Sequence, residues 1–340
     1  QAESSAASDV YKRQGHHLTH LNAPDSDHPR LAIGVPDSNL NEVYLLEGPF
    51  SGEHHTAHDA IGHFTSDERG DSFGRLVIAA GDLTSDGRDD LLITAPMGGE
   101  PEEAGAAYIF AGPLTGSHTL AETTAAVYGS QQHDTVGFAA VAGKDVTGDG
   151  LADLVLSAPR GVILPSLKGS TGAGSVWVHA GPINSERLLE DGVASLEGSE
   201  SQSMLGYLVA DGDLNQDGYT DLAVLDLDRL YLVHGPVTTS SDITERAAAT
   251  LTLDGYHEPG WLSIAGSLDG SDDWPDILLG SAFTLAALGP FSGVRELTND
   301  SADWSFWPSA RAATPGDLDG DGRDEILLMA PHLGALGIAR

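Results

Sequence analysis

An acidic nine-residue pattern followed by an apolar run recurs along the chain, and it constrains the fold more than any other feature. Four segments share the form D-x-[TND]-x-D-G-x-x-[DE]: GDLTSDGRDDLLITAP from residue 81, KDVTGDGLADLVLSAP from 144, GDLNQDGYTDLAVLDL from 212 and GDLDGDGRDEILLMAP from 316. A fifth copy from residue 266 keeps the frame with one extra residue and no first aspartate, and a sixth from residue 22 keeps only the apolar run. Such self-similarity indicates stacked copies of one supersecondary unit.

Two further landmarks recur in fixed order with the acidic pattern. A Gly-Pro pair closes an apolar run at Pro49, Pro113, Pro182, Pro236 and Pro290, in steps of 64, 69, 54 and 54 residues. A second pair precedes each loop, as Phe73-Gly74, Val136-Gly137, Leu205-Gly206 and Pro259-Gly260. Each unit reads as four short strands, which in the second unit are GRLVIAAG, DLLITAP, AAYIFAG and a run near AAVYGS.

These units predict an all-β fold, namely a β-propeller. A lone four-stranded sheet cannot bury both of its faces, so neighbouring sheets must stack around an axis. No helical periodicity of useful length competes with this interpretation. The predicted propeller occupies residues 16–340, with units at roughly 16–64, 65–128, 129–197, 198–252, 253–302 and 303–340.

The order of these landmarks resembles the FG-GAP repeat of integrin α-subunit β-propellers and related bacterial proteins. FG is followed by the acidic loop and then by a strand ending in Ala-Pro, at Pro96, Pro159 and Pro331. The resemblance covers roughly residues 20–340. That family usually has seven blades, so the resemblance implies an incomplete ring of about five to six FG-GAP blades here.

The same resemblance implies a function in adhesion. It points to a non-catalytic, calcium-binding module of a secreted or cell-surface protein, which binds a protein or glycan ligand. An alternative remains open, in which the propeller is an accessory domain of a larger extracellular hydrolase of the phospholipase type. A fold alone does not decide between these functions.

The acidic loops suit a hard cation, because carboxylates at alternating positions of a turn present several oxygens at once. Ca²⁺ takes six to eight oxygen ligands and tolerates irregular geometry, whereas Mg²⁺ demands a stricter octahedron. Glycine at position six permits the turn, position seven offers its backbone carbonyl, and the acid at position nine completes the set. The pattern predicts about four Ca²⁺ sites: Asp82, Thr84, Asp86, Arg88 and Asp90; Asp145, Thr147, Asp149, Leu151 and Asp153; Asp213, Asn215, Asp217, Tyr219 and Asp221; and Asp317, Asp319, Asp321, Arg323 and Glu325.

Two other kinds of loop share parts of this pattern, namely an EF-hand and a metal-free turn. An EF-hand needs a glutamate at position 12 and a following helix, but position 12 is apolar here, as Ile93, Leu156, Val224 and Leu328. Metal-free turns are the simpler alternative, because Asp and Gly favour turns in any case. Because four loops share the same nine-residue pattern, we favour metal binding over metal-free turns.

The composition of the chain limits the classes of partner that it can bind. The chain has 51 acidic and 16 basic residues and a formal net charge of -35, which disfavours nucleic acid and anionic lipid. It contains no cysteine and no apolar run long enough to insert into a membrane. Residues 1–15 include SSAASDVYKRQ, which resembles translated sequencing-adapter sequence, so we expect this segment to be non-native or disordered. The natural start, with any signal peptide, is then missing, and an extracellular or cell-surface location is expected.

The remaining motifs are better explained by structural roles than by binding or catalysis. Arg69-Gly70-Asp71-Ser72 spells an adhesive tripeptide, but it occupies the position before the FG landmark where every unit has a turn. Four histidines between residues 54 and 63 are expected in a solvated loop, and the Gly-rich run at 168–175 lacks the G-K-[ST] of a phosphate cradle. Trp177, Trp274 and Trp307 are expected to pack between blades. The innermost strands read as small and apolar, no catalytic motif occurs, and the chain is therefore predicted not to be an enzyme.

Overall fold

The computed structural model describes most of the chain, and most of what it describes is β-strand. The described residues are 17–21, 28–36, 41–50, 56–68, 70–160, 172–253, 260–268, 274–280, 284–297, 302–306, 311–316, 325–330 and 335–339. For residues 56 and 57 and for those from 304 onward, it describes the backbone only. Residues 1–15, expected to be non-native, lie outside these ranges.

Twenty-seven strands are described, and they follow one another with short connections. In chain order they are β1 His17–Leu21, β2 Arg30–Val35, β3 Glu42–Glu47, β4 Gly62–Thr65, β5 Val77–Ala79, β6 Leu91–Ala95, β7 Ala106–Phe110, β8 Gly116–Thr119, β9 Ala125–Tyr128, β10 Ala140–Lys144, β11 Asp153–Ala158, β12 Ser175–His179, β13 Arg187–Leu188, β14 Ala194–Glu197, β15 Leu208–Gly212, β16 Asp221–Leu225, β17 Arg229–Val233, β18 Ser241–Asp242, β19 Ala249–Thr252, β20 Trp261–Ala265, β21 Asp276–Gly280, β22 Thr284–Ala287, β23 Gly293–Glu296, β24 Trp304–Phe306, β25 Arg311–Gly316, β26 Glu325–Ala330 and β27 Ala335–Ala339.

The strands form five sheets that repeat one antiparallel meander, as the sequence predicted. Blade 1 is β1-β2-β3-β4, blade 2 is β5-β6-β7-β9, blade 3 is β10-β11-β12-β14, blade 4 is β15-β16-β17-β19 and blade 5 is β20-β21-β22-β24. A sixth sheet has the three strands β25-β26-β27. The four strands predicted for the second unit are confirmed as β5, β6, β7 and β9. This is the arrangement of a β-propeller.

A fifth strand on most blades was not predicted. β8, β13, β18 and β23 each pair in parallel with the outer strand of the preceding blade: with β4, β9, β14 and β19 respectively. Each covers unpaired backbone groups that an outer strand would otherwise expose. These segments are only two to four residues long and largely exposed, so they carry no apolar alternation by which sequence could have revealed them.

The hydrophobic core lies between successive blades. One cluster joins blades 1 and 2, where the rings of Phe64 and Phe110 meet edge to face with centroids 5.0 Å apart. Three further clusters join blade 2 to 3, 3 to 4 and 4 to 5. Every residue of β6 and β11 is buried, because these strands have a neighbouring blade on each side. The stacking explains why their sequences are continuous apolar runs.

The landmark glycine marks the closest approach between blades. Gly137 has φ +83°, and a Cβ on it would lie 2.9 Å from Thr94 Cβ of the preceding blade. Gly206 repeats the arrangement with φ +87° and a distance of 2.7 Å to Ser157 Cβ. Only glycine meets both demands, a left-handed backbone and no side chain.

Helices are short where the structure describes them: α1 Thr56–Asp59, α2 Ile243–Arg246 and the 3₁₀ turns Leu120–Glu122 and Leu189–Asp191. None of the helices in these ranges has the length and apolar character of a membrane span. The histidine-rich segment is not the loop that was expected. His58 lies in α1, and His63 lies in β4 with its ring stacked on Tyr44 at 4.9 Å. His54 and His55 lie outside the described residues.

Candidate metal-binding hairpins

The acidic loops join the innermost strand of a blade to the second strand, so they sit at hairpin ends. The loops of blades 2, 3 and 4 lie between β5 and β6, β10 and β11, and β15 and β16. The first aspartate of each loop caps the turn. Asp82 accepts hydrogen bonds from the backbone NH groups of Asp86 at 2.8 Å and Gly87 at 3.1 Å. Asp145 and Asp213 accept equivalent bonds in their own loops.

The aspartate at position five is exposed and stabilises the second half of the turn. In all three loops its Oδ1 accepts a hydrogen bond of 2.9 Å from the backbone NH of position seven; the donors are Arg88, Leu151 and Tyr219. The bond from Tyr219, together with one from the Asn215 side chain, lowers the pKa of Asp217 below its usual value. The three loops therefore share one conformation as well as one sequence pattern.

The aspartate at position nine is buried and ties the loop to the blade. Asp153 Oδ2 accepts from the backbone NH groups of Val146 and Thr147, both at 2.8 Å, and its Oδ1 accepts from Gly181 at 3.0 Å. Asp221 makes the same three kinds of bond in blade 4. Burial raises the pKa of both carboxyls, and hydrogen bonds from the backbone only partly oppose it.

Some buried oxygens in the loops of blades 2 and 3 have no hydrogen-bond partner. Asp90 Oδ2 accepts from Thr84 N at 2.7 Å, but Asp90 Oδ1 and Thr84 Oγ1 are buried without a hydrogen bond. Thr147 Oγ1 of the next loop is in the same condition. Burial raises the pKa of Asp90 to about 6. Buried oxygens without a donor are costly, and a cation would satisfy them.

The hairpin of blade 5 keeps the hydrogen bonds of the position-nine acid. Asp276 accepts from Leu268 N at 2.7 Å and from Gly289 N at 2.9 Å, as position nine does elsewhere. Its loop has Ser267 where the others have the first aspartate. The position-nine acid is thus retained where the first aspartate is missing.

The predicted ligand sets are brought together only in part. In each described loop the named residues share one turn, yet among the described residues no group of three acidic or histidine side chains is arranged to hold a metal ion. Leu151 and Tyr219, predicted to offer carbonyls, lie exposed at the loop tips. Asp317, Asp319, Asp321 and Arg323 lie outside the described residues, and Glu325 begins β26 with its backbone only.

A second feature lies on the axis, and sequence reasoning missed it. The residue after each landmark glycine is Arg75, Phe138, Tyr207 or Trp261, and all four line a cavity of about 310 Å³ where the innermost strands of blades 1 to 5 begin. Arg75, Phe138 and Tyr207 lie one or two residues before their strands, and Trp261 is the first residue of β20. The repeated position itself was the available signal.

The remaining motifs have structural roles where the structure describes them. Asp71 of the Arg-Gly-Asp tripeptide is 2% exposed and accepts hydrogen bonds from Phe73 N and the Ser66 hydroxyl. Trp177 is buried in the cluster between blades 2 and 3, as expected. Arg69, Trp307 and the first half of the Gly-rich run lie outside the described residues.

Comparison with known proteins agrees with the architecture. The FG-GAP repeat family matches residues 76–110 and 136–179. The chain is 29% identical over 203 residues to integrin alpha-5 of Xenopus laevis, which covers 56% of this chain and 18% of that protein. It is 32% identical over 160 residues to integrin alpha-IIb of Homo sapiens, covering 45% and 14%. For integrin alpha-PS2 of Drosophila melanogaster the identity is 29% over 225 residues, covering 62% and 15%. The chain thus spans less than a fifth of the length of these curated relatives.

Proposed function

We propose that this chain, an FG-GAP β-propeller of the integrin-alpha-like kind, is a non-catalytic ligand-binding module of a secreted or cell-surface protein, stabilised by Ca²⁺ in its acidic hairpins. The relatives are integrin alpha chains, which supports a role in adhesion. A protein or glycan is the class of ligand that this role implies.

The observation that carries the metal part is the set of unsatisfied oxygens in the hairpins. Asp90 Oδ1, Thr84 Oγ1 and Thr147 Oγ1 are buried without donors. They belong to positions three and nine of the predicted ligand pattern, and Ca²⁺ takes oxygen ligands, carboxylates among them.

The hydrogen bonds of the loop carboxylates are compatible with a cation. An ionised carboxylate has about four acceptor sites, and those at positions one and five use only some of them on the turn. Asp82, Asp86 and Asp90 would hold the ion in blade 2, together with the Thr84 hydroxyl and the Arg88 carbonyl. The backbone bonds pre-order this turn, and a bound cation would favour the ionised form of the buried Asp90.

The contribution of the metal would be to stability. A ligand at 100 times its Kd adds about 2.7 kcal/mol for each site. Several sites together would then match a large part of a typical domain stability of about 5 to 15 kcal/mol. The hairpins would be stiffened at the ends of the innermost strands, and the loops around the axis would keep a fixed arrangement.

Calorimetric titration of chelator-treated protein tests the proposal. We expect Ca²⁺ to bind with a stoichiometry of about four, one per patterned loop, to raise Tm, and to do so at lower concentration than Mg²⁺. Identical melting curves in EDTA and in saturating Ca²⁺ would remove the metal from the proposal. The adhesive part is tested separately, by arrays of extracellular proteins and glycans probed with the labelled chain.

A further inference from the structure

The axial cavity contains a cation whose surroundings differ from those of a structural ion pair. The guanidinium carbon of Arg75 lies 4.1 Å from the centre of the Phe138 ring. Its Nε is buried without a hydrogen-bond partner, and within the part of the chain that the structure describes no carboxylate forms an ion pair with Arg75. Burial lowers the pKa of this arginine.

This arrangement is unusual in so acidic a chain. With 51 acidic residues against 16 basic ones, an arginine has many potential partners. A half-buried charge without a counter-ion costs free energy. Contact with one aromatic face recovers only about 0.5 to 2 kcal/mol of that cost. The planar fork of the guanidinium matches a carboxylate, to which it can donate two parallel hydrogen bonds.

The walls of the cavity indicate what kind of group a ligand would carry beside a carboxylate. Tyr207 and Trp261 contribute aromatic surface, and Leu76 and Leu262 contribute aliphatic surface. Such walls favour a ring or a branched apolar body. At about 310 Å³ the cavity is at the lower end of the range for ligand pockets, so it suits a small molecule.

The negative net charge of the chain disfavours large anions as ligands of the cavity. The net charge of -35 repels acidic polysaccharides, nucleic acids and acidic proteins at long range. A single carboxylate experiences much less of that repulsion and can be compensated by Arg75 alone.

We propose that the axial cavity binds a small organic monocarboxylate with an apolar ring, whose carboxylate pairs with Arg75 and whose ring lies between the aromatic walls. This site is separate from the protein or glycan binding proposed above, and it does not depend on the metal. Binding is therefore measured in saturating Ca²⁺ throughout, so that failure of the calcium titration and failure of this site remain distinguishable.

The test uses phenylacetate as the probe and its neutral isostere phenylacetamide as the matched ligand control. Calorimetry on the unmodified chain should show phenylacetate binding about tenfold or more tightly than the amide, the size expected for one charge-assisted pair. This comparison needs no variant, so it holds even if a substitution impairs folding. Equal affinity for the two compounds, or no binding of phenylacetate at about 10 mM, would overturn the proposal.

Two variants locate the site. Arg75→Gln should weaken phenylacetate about tenfold or more. Arg160→Gln removes the same charge from an exposed position outside the cavity and should leave the affinity unchanged. If both variants weaken binding equally, or neither does, the carboxylate is not held by Arg75 and the proposal fails. Glucuronate serves as the sugar acid control, and its binding more tightly than phenylacetate would contradict the apolar ring.

Discussion

Asp153 in the acidic hairpin of blade 3 accepts a hydrogen bond of 3.0 Å from the backbone NH of Gly181, which belongs to the Gly-Pro landmark 28 residues later. The pairs Asp221 with Gly235, at 2.7 Å, and Asp276 with Gly289, at 2.9 Å, repeat it. In blades 3, 4 and 5 the last acid of the acidic loop therefore binds the glycine of the Gly-Pro pair, which explains why the two recur together there, whereas in blade 2 Asp90 Oδ1 makes no such bond. The acid at position nine therefore has a structural role, in addition to any role as a metal ligand.

Asp276→Asn tests this structural role in a hairpin that lacks the full ligand pattern. An amide keeps one acceptor oxygen, so either Leu268 N or Gly289 N would lose its partner in a buried place. We expect a loss of about 1 to 3 kcal/mol in the free energy of unfolding, equal in Ca²⁺ and in EDTA. Thermal melting measures it, with Glu245→Gln on the exposed face of α2 as the control. A loss seen only in Ca²⁺ would show that Asp276 acts as a ligand instead.

Asp86→Ala tests the metal site of blade 2 with a control in the same hairpin. Asp86 is exposed and makes one bond to Arg88 N, so its removal should change metal-free stability by less than about 1 kcal/mol. The calcium stoichiometry should fall by one while the other sites keep their affinity, because repeat units interact chiefly with their neighbours. Asp89→Ala removes the same charge at position eight, outside the ligand pattern, and should leave the stoichiometry unchanged. A fall in both variants would point to general charge effects.

Sequence predicted the blades well because their strands have neighbours on both faces. β6 and β11 are continuous buried runs, and such runs are visible in the sequence. The fifth strands were missed because a segment such as Arg187–Leu188 has only two residues, too few to show an alternating side-chain pattern.

The candidate sites were predictable to different degrees. The loop frame gave the positions of the acids, but their hydrogen bonds to distant backbone groups such as Gly181 depend on the fold. Arg75 was overlooked because it is one residue among four that differ in chemistry, and only the propeller brings them together.

The buried position of Asp71 predicts that the Arg-Gly-Asp tripeptide is not displayed by the folded chain. Its carboxylate binds Phe73 N and the Ser66 hydroxyl, so it has no free face for a receptor. Cells should not adhere to surfaces coated with folded protein in a way that a soluble Arg-Gly-Asp peptide inhibits. Heat-denatured protein, in which the segment is released, is the matched control and should support such adhesion. Peptide-inhibited adhesion to the folded chain would contradict the buried geometry.

His179 predicts how stability responds to acid. It lies fully buried in blade 3, where blade 2 has Phe110. Burial lowers its pKa to about 4, and the nearby Arg187 adds to the effect. The unfolded chain has the ordinary histidine pKa of about 6.5.

Between these two values the unfolded state binds the proton and the folded state does not. Stability is therefore complete above about pH 6.5 and falls as the pH drops towards 4, by about 3 kcal/mol from this group. His179→Phe should remove that part, so that its Tm falls less steeply than that of the unmodified chain over this range. His58→Gln, at a side chain 88% exposed, should leave the slope unchanged. Parallel curves for the unmodified chain and His179→Phe would mean that protonation of His179 does not oppose folding.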